Sequence, residues 1–542
     1  MKDRIKQFFK GEVFDDKETL LKYSKDASLF QVMPKLVAWP KDAEDLEGLV
    51  KWVSENKQND PSLSLTIRAA GSCMSGGALN ESIIADVTQH MNKMGEISQS
   101  GTIVEPGLLY RDFEPKTLEK GLILPCYPAS KNLCALGGQI GNNGAGEKTL
   151  RWGKMESYVL ETKVVFADGK EYLVKPLERH DLQTKMNQGD FEGDLYKKLY
   201  ELITNNREVI EHAKPKVSKN SAGYNLWNVW DGNRFDLNKL IVGSQGTLAL
   251  VTEAKIKLVP VEPVSKLFVI FLKDLAPLAD LVNEVLPTSP DSIECYDDAT
   301  LKLAVRFFPE MVKTMKAGFL KLMLSFIPEG FMMLTGGIPK LIVLVEYTGQ
   351  SEQEVDGKMA YLKGKIAHFG LKMHAAKSQA ESEKYWTIRR ESFNLLRKHV
   401  HGSRTAPFVD DVVVQPKDMP SFLPKMRAIL DKYKLVYTIA GHAGNGNFHI
   451  IPLMDMHDRK NVDIIRDAGE EIYNLVGEYH GSITGEHNDG LVRTPYLGKM
   501  YSAEVLDLFK KTKEIFDPQN IFNPGKKVGV TVSYMLEHIA VE

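Results

Sequence analysis

The sequence predicts an α+β protein of two or three domains, and three observations predict it. At 542 residues the chain is longer than one hydrophobic core organises. From Leu63 to about Val104 it reads as short β-branched runs separated by glycines. Beyond Pro260-Val261-Glu262-Pro263, longer helical periodicities alternate with strands, which puts a domain boundary there.

Taken in order, residues 1 to about 60 read as helix-forming, with apolar residues spaced among Lys, Glu and Asp. Thr66-Ile67-Arg68 reads as a strand leading into the turn AAGSCMSGGAL, and Ser82 to Val87 as the next strand. Gly/Asn-rich turns recur at GGQIGNNGAGE and at GSQGTLALVT, where Leu248 to Thr252 reads as strand. Tyr158 to Phe166 and the hairpin signal ADGKEYLV add strands between them. The expected units are residues 1–262, 263–455 and 456–542. The last is mainly helical to about residue 530 and ends in FDPQNIFNPGK, whose prolines and asparagines stop regular structure. No repeat or low-complexity segment is present.

Composition narrows the function classes. The chain is 43% hydrophobic and 26% charged with a net charge of -2, so nothing overall points to nucleic acid. The four cysteines, Cys73, Cys126, Cys134 and Cys295, form no C-x-x-C pair and no cluster for iron–sulfur or structural zinc. That usage fits a reducing compartment, and the N-terminus lacks the apolar run of a signal peptide. A cytoplasmic protein is expected.

A strand followed by a turn rich in Gly and Ser aims backbone N–H groups at phosphate oxygens, because glycine permits φ > 0 and close approach. Gly71, Ser72, Ser75, Gly76 and Gly77 fit that task. One such turn usually only reverses the chain, but three in one half of the sequence weigh more. The second, Gly137 to Gly144, adds amide side chains able to bind a ring edge; the third is Gly243-Ser244-Gln245-Gly246-Thr247. No G-x-G-x-x-G opens a helix after a strand, so an ordinary Rossmann site is not indicated.

RAAGSCMSGGAL, VEPGLLYRDF, GLILPCYPAS, CALGGQIGNNGAGEKTLRWGKM, SAGYNL and DLNKLIVGSQGTLALVTEA follow one another along the chain. In that order they resemble the FAD domain of the vanillyl-alcohol-oxidase/PCMH-type superfamily. HAGNGNFH, GSITGEHNDG and FDPQNIFNPGK resemble its branch of D-lactate dehydrogenases, glycolate oxidase subunits and D-2-hydroxyglutarate dehydrogenases. The likeness runs from about residue 20 to 530. It implies a PCMH-type two-subdomain FAD-binding domain, then an α+β cap (substrate) domain with a helical C-terminal segment.

The resemblance also implies residue roles. Gly71, Ser72, Cys73, Met74, Ser75 and Gly76 would cradle the FAD pyrophosphate. Pro106, Gly107, Gly138, Asn142 and Gly144 would line the flavin path, with Gly246 and Thr252 nearer the adenine end and Asn523 reaching the isoalloxazine region. The histidine that links FAD covalently in many members is missing from the first loop, so non-covalent FAD is expected. Two departures stand out: Gln245 where Glu is usual in G-S-E-G-T, and Ala249 where Gly is usual.

His442 and His449 flank Ala-Gly-Asn-Gly-Asn-Phe, too glycine-rich for a helix, and Glu486 and His487 sit in the turn Gly481 to Gly490. Two imidazoles and a carboxylate suit zinc or a similar divalent ion with positions left open. A lone histidine is more often an ordinary surface or core residue, and that reading holds for His212 and His457. His442 and His449 instead bracket small residues with no core to fill. Metal bound to a 2-hydroxy acid lowers the hydroxyl pKa, and a nearby base then takes the proton. The resemblance makes His487 that base and makes Arg389, in YWTIRRESF, the partner of the substrate carboxylate. Members that accept dicarboxylates carry a polar residue soon after the second metal His; here Ile450 and Ile451 stand there, which favours a short or apolar substrate.

Residues 301–345 are basic and apolar, with charges and prolines too frequent for a transmembrane helix. They read either as amphipathic helices lying on an anionic membrane surface or as a buried helical insertion of the cap. The leading expectation is FAD-dependent oxidation of a small D-2-hydroxy acid, D-lactate first, to the 2-oxo acid, with a quinone, an electron-transfer flavoprotein or an iron–sulfur subunit as acceptor. D-2-hydroxyglutarate or glycolate oxidation, and an alkyl-glycerone-phosphate synthase-like reaction, are the alternatives within the superfamily. A zinc hydrolase and an FAD-binding electron-transfer subunit are those outside it.

Overall fold

A computed structural model describes residues 1–306, 337–399 and 404–541. Most of the basic, apolar stretch thus lies outside the described residues.

The N-terminal half holds two four-stranded sheets. In the first, Glu12–Phe14, Leu36–Trp39, Ile83–Asp86 and Leu65–Arg68 lie side by side; the first pair is antiparallel and the other two are parallel. The opening segment is therefore not wholly helical. Asp16 caps a helix at Lys17–Tyr23 and Asp42 caps another at Ala43–Asn56, each carboxylate accepting a backbone N–H. Between them Leu36–Trp39, apolar and bounded by Pro34 and Pro40, forms a strand against residues distant in sequence. The second sheet runs Thr102–Val104, Leu250–Ile256, Val159–Val165 and Glu171–Val174, all antiparallel.

The second glycine segment is a helix, Leu136–Asn142, that ends on Asn143 in the left-handed region (φ 53°). Gly137 serves packing, since a Cβ there would stand 2.7 Å from the Pro106 carbonyl, whereas one on Gly138 would meet only Ala69, at 3.8 Å.

From Val264 onward, strands join one antiparallel sheet. Its order is Lys372–Ala375, Val264–Leu272, Leu341–Gly349, Ser292–Asp297, Val436–His442, Asn447–Met454 and Arg404–Thr405, with Val412–Val413 also pairing to Asn447–Met454. Leu341–Gly349 is buried at every position, which requires cover on both faces. Leu278–Val285 and Met419–Lys432 pack in one apolar cluster with this sheet, and Trp386 and Ile388 of helix Gln379–His399 in another. The tail is mainly helical, with Lys460–Glu478 and Ala503–Phe516 as its longest helices.

Candidate active site

A cavity of about 830 Å³ lies where the N-terminal sheets meet the large sheet. Gly71 to Met74, Pro106, Gly138, Asn142, Gly144 and Gly246 line one side; Arg389, His442, His449, Glu486 and His487 line the other. The glycine segments and the histidine cluster therefore face one space.

The two histidines stand on a tight hairpin. His442 ends one strand, Asn447 opens the next, and Gly446 turns between them at φ 65°. Ala440 pairs with His449 and His442 with Asn447, so strand alternation puts both imidazoles on one face. Glu486 and His487 arrive on an irregular loop that Asp411 fastens. One Asp411 oxygen accepts the amides of Glu486 (2.8 Å) and His487 (2.7 Å) and the Thr484 hydroxyl (2.7 Å), and the other accepts Asn447 Nδ2 (2.9 Å). Asp411 itself adopts φ 71°, which Asp tolerates better than most residues.

Three imidazole nitrogens converge on one carboxylate oxygen. The Nε2 atoms of His442 and His449 each lie 3.3 Å from Glu486 Oε1, and that of His487 lies 3.8 Å away. The opposite nitrogens also face carboxylates. His442 Nδ1 is 2.6 Å from Glu294 Oε1, and His449 Nδ1 is 3.2 Å from Asp410 Oδ1. His487 Nδ1 is 2.6 Å from Asp410 Oδ2, a charge contact rather than an aligned hydrogen bond. Lys219, fully buried, stands 2.9 Å from Glu486 Oε2.

Burial pulls the His449 pKa down, but Asp410 and Glu486 outweigh it and push it up to about 10. Burial likewise opposes ionisation of Glu486, yet Lys219 and His442 hold it well below the usual carboxylate range. A cluster that draws protons onto imidazoles in this way lacks positive charge. A divalent cation would displace those protons and supply it. His442, His449 and Glu486 offer ligand atoms within 4.8 Å of one another, so the donor set fits such an ion. Carboxylates behind ligating imidazoles are the usual outer support.

The cofactor side fits a dinucleotide phosphate. Among the described residues, the amides of Gly71, Ser72, Cys73 and Met74 donate to no protein acceptor, in a turn that lines the cavity. Five expected contacts lie elsewhere. Ser75 is fully buried, with its carbonyl accepting the Leu491 amide, and Gly76 (φ 78°) packs on Phe30 and Leu491. Gly107 packs on the Val87 carbonyl. Val251 faces the cavity, so alternation turns Thr252 away, onto Glu171 at 2.6 Å. Asn523 sits behind the wall, where it donates to the carbonyls of Gly77 (2.8 Å) and Gln245 (2.6 Å) and accepts from Thr66 Oγ1 (2.8 Å). Gln245 ties the loops together: Nε2 is 3.3 Å from Ser75 Oγ and 3.2 Å from Asn142 Oδ1, while Oε1 accepts the Gly490 amide at 2.8 Å.

Of the two arginines, Arg390 is clamped by both oxygens of Glu147, with Nε at 3.0 Å. Arg389 Nε reaches Glu294 Oε2 at 3.2 Å, so Glu294 touches both Arg389 and His442. Sequence reasoning missed Lys219, Glu294, Asp410 and Asp411. The Asp410-Asp411 pair gave a faint signal as adjacent acids in an apolar run, FVDDVVV.

Residues 34–174 match the FAD binding domain and residues 262–527 the C-terminal domain of FAD linked oxidases. D-2-hydroxyglutarate dehydrogenase of Pseudomonas putida is 27% identical over 534 residues, covering 96% of this chain but 50% of that protein. The chain thus spans about half the length of the first curated relatives it matches. Glycolate oxidase subunit GlcD of Bacillus subtilis is 26% identical over 97% of this chain and 96% of its own length. D-lactate dehydrogenase of Archaeoglobus fulgidus is 25% identical over 93% and 96%. Among solved structures, 4-ethylphenol oxidase from Gulosibacter chungangensis superposes with a TM-score of 0.68 at 16% identity, covering 95% of this chain and 94% of that one. p-Cresol methylhydroxylase superposes equally well, at 0.68 and 16%, covering 96% of this chain and 94% of that one, so the fold is of the PCMH type. With both domains present, the chain belongs to the FAD-linked oxidases.

Proposed function

We propose that the protein oxidises a small D-2-hydroxy acid, D-lactate first among them, to the 2-oxo acid with FAD and a divalent metal, zinc by the donor set. One observation carries the reading: His442, His449, Glu486 and His487 share a cavity with the glycine-lined cofactor turn. Bound FAD supplies a hydride acceptor. Bound metal supplies a Lewis acid that favours the ionised hydroxyl.

The protein's own groups do the rest. His487 Nε2 takes the hydroxyl proton, since its Nδ1 is held by Asp410. Arg389, fixed by Glu294, receives the substrate carboxylate and orients the hydroxyl toward His487. Lys219 keeps Glu486 ionised. Thr438, Ala440 and Ile451 stand beside His442 and His449 on the same sheet face, an uncharged wall suited to a methyl group. Ile450, by alternation, is buried on the other face. The acceptor that completes turnover is of the quinone, electron-transfer-flavoprotein or iron–sulfur class.

D-2-Hydroxyglutarate and glycolate remain the second reading, favoured by the names of the relatives and by Arg390 on the cavity wall. The test is an anaerobic substrate screen of the FAD-loaded, zinc-loaded protein, read by bleaching of the flavin. D-Lactate should bleach it fastest and L-lactate not at all. Bleaching by none of D-lactate, D-2-hydroxyglutarate or glycolate would overturn the assignment.

A further inference from the structure

We propose that Asp410 is a positioning residue that sets the tautomer of two histidines with different duties, His449 as metal ligand and His487 as base. The proposal rests on the metal-assisted reading above. Asp410 is fully buried, and its two oxygens are divided between the rings: Oδ1 is 3.2 Å from His449 Nδ1 and Oδ2 is 2.6 Å from His487 Nδ1. The rings stack at 5.1 Å between centroids, 25° apart, and both turn Nε2 toward Glu486 Oε1.

A neutral imidazole carries one N–H and one lone pair, and an ionised carboxylate only accepts. A carboxylate oxygen this close repels a lone pair, through the hydrogen bond at His449 and the charge contact at His487, so Asp410 keeps hydrogen on both Nδ1 atoms and leaves both Nε2 lone pairs on the same side. Each duty needs that lone pair, one to bind an ion and one to take a proton. The carboxylate is held in place. The Asp410 backbone carbonyl accepts from Nη2 of the buried Arg493 at 2.7 Å, and the next residue, Asp411, is fastened by Asn447, Thr484 and two amides. His442 has a carboxylate of its own in Glu294, so Asp410 joins one ligand specifically to the base.

Asp410→Asn makes the division visible. An amide of the same shape offers one acceptor and one donor, so only one ring keeps Nδ1–H. Bound metal selects the orientation that serves His449, and His487 is left with hydrogen on Nε2, where it cannot act as base.

The FAD-loaded wild type, D410N, D410A and H442A are compared by zinc affinity in chelator competition. The same proteins, saturated with zinc, are compared by anaerobic flavin reduction with the hydroxy acid that bleaches the wild type. D410N should hold zinc within about tenfold of wild type yet reduce flavin at least about a hundredfold more slowly, without rescue by added zinc. D410A should weaken zinc by about 10–100-fold as well. Histidine-¹⁵N NMR of the zinc-loaded wild type should find Nδ1–H on both rings, and decides the matter if the variants fail to fold. Wild-type reduction rates in D410N, or Nε2–H on wild-type His487, would overturn the proposal. Undiminished zinc binding by H442A would overturn the metal reading itself.

Discussion

Lys219 Nζ lies 2.9 Å from Glu486 Oε2, with side-chain exposures of 0% and 7%. The ammonium neutralises a carboxylate whose other oxygen faces three imidazoles. Removing one partner of a buried ion pair costs about 3–5 kcal/mol, because the remaining charge is left uncompensated. Lys219→Met should therefore lower the Tm of the metal-free protein, and zinc should restore most of the loss by supplying positive charge. Thermal unfolding with and without zinc checks this, and an unchanged metal-free Tm would sink it.

Arg389 and Arg390 should separate by kinetics. Arg389→Lys keeps the charge but loses the planar fork, so KM for the hydroxy acid should rise about 10–100-fold, the loss of a charge-assisted hydrogen bond worth about 1.5–3 kcal/mol. Arg390→Lys breaks the two-point grip on Glu147 and should lower Tm with a smaller effect on KM. Steady-state kinetics and unfolding curves on both variants decide it; equal KM shifts would refute the assignment.

The wall beside the metal ligands should set substrate choice. Ile451 faces the cavity from the same strand as His449. Ile451→Arg should raise the ratio of kcat/KM for D-2-hydroxyglutarate over D-lactate by at least about tenfold, by attracting a second carboxylate and crowding a methyl group. A ratio that stays put would place the substrate elsewhere in the cavity.

Asp26 should make the flavin-free protein lose stability as pH rises from mild acid to neutral. Burial pushes its carboxyl up to about 6, against the pull of Ser28, Arg68 and Lys526. The folded state then holds this proton more tightly than the unfolded state does. The resulting stability is fully present below about pH 4 and is lost as pH rises through 6. Asp26→Asn should remove the effect, so its stability advantage over wild type should widen by the order of 1–3 kcal/mol between pH 4.5 and 7. Urea unfolding across that range measures the gap, and a constant gap would disprove it.

What the sequence disclosed, and what it hid, follows from the range of the interactions. HAGNGNFH disclosed a loop because it is too glycine-rich for a helix, and the structure makes that loop a hairpin, with Gly446 at φ 65° and both histidines on one face. Leu36–Trp39 gave no such sign: its partner Ile83–Asp86 lies more than forty residues on, and a parallel pairing leaves no turn to read. GGQIGNN suggested a turn, yet it is a helix, because its glycines answer to Pro106 and to the cavity rather than to chain reversal. The supports of the histidine cluster were out of reach for the same reason. Glu294 and His442 are separated by 148 residues, and Lys219 and Glu486 by 267.

The clasp formed by Asn523 bears on how the protein matures. Its amide grips the Gly77 carbonyl across 446 residues of sequence, while Leu65 exchanges backbone hydrogen bonds with Ile521 and Asn523. During synthesis the first glycine turn leaves the ribosome long before the segment that locks it. Tight retention of the dinucleotide must therefore await synthesis of that segment, and nascent chains stalled before Ile521 should release it quickly.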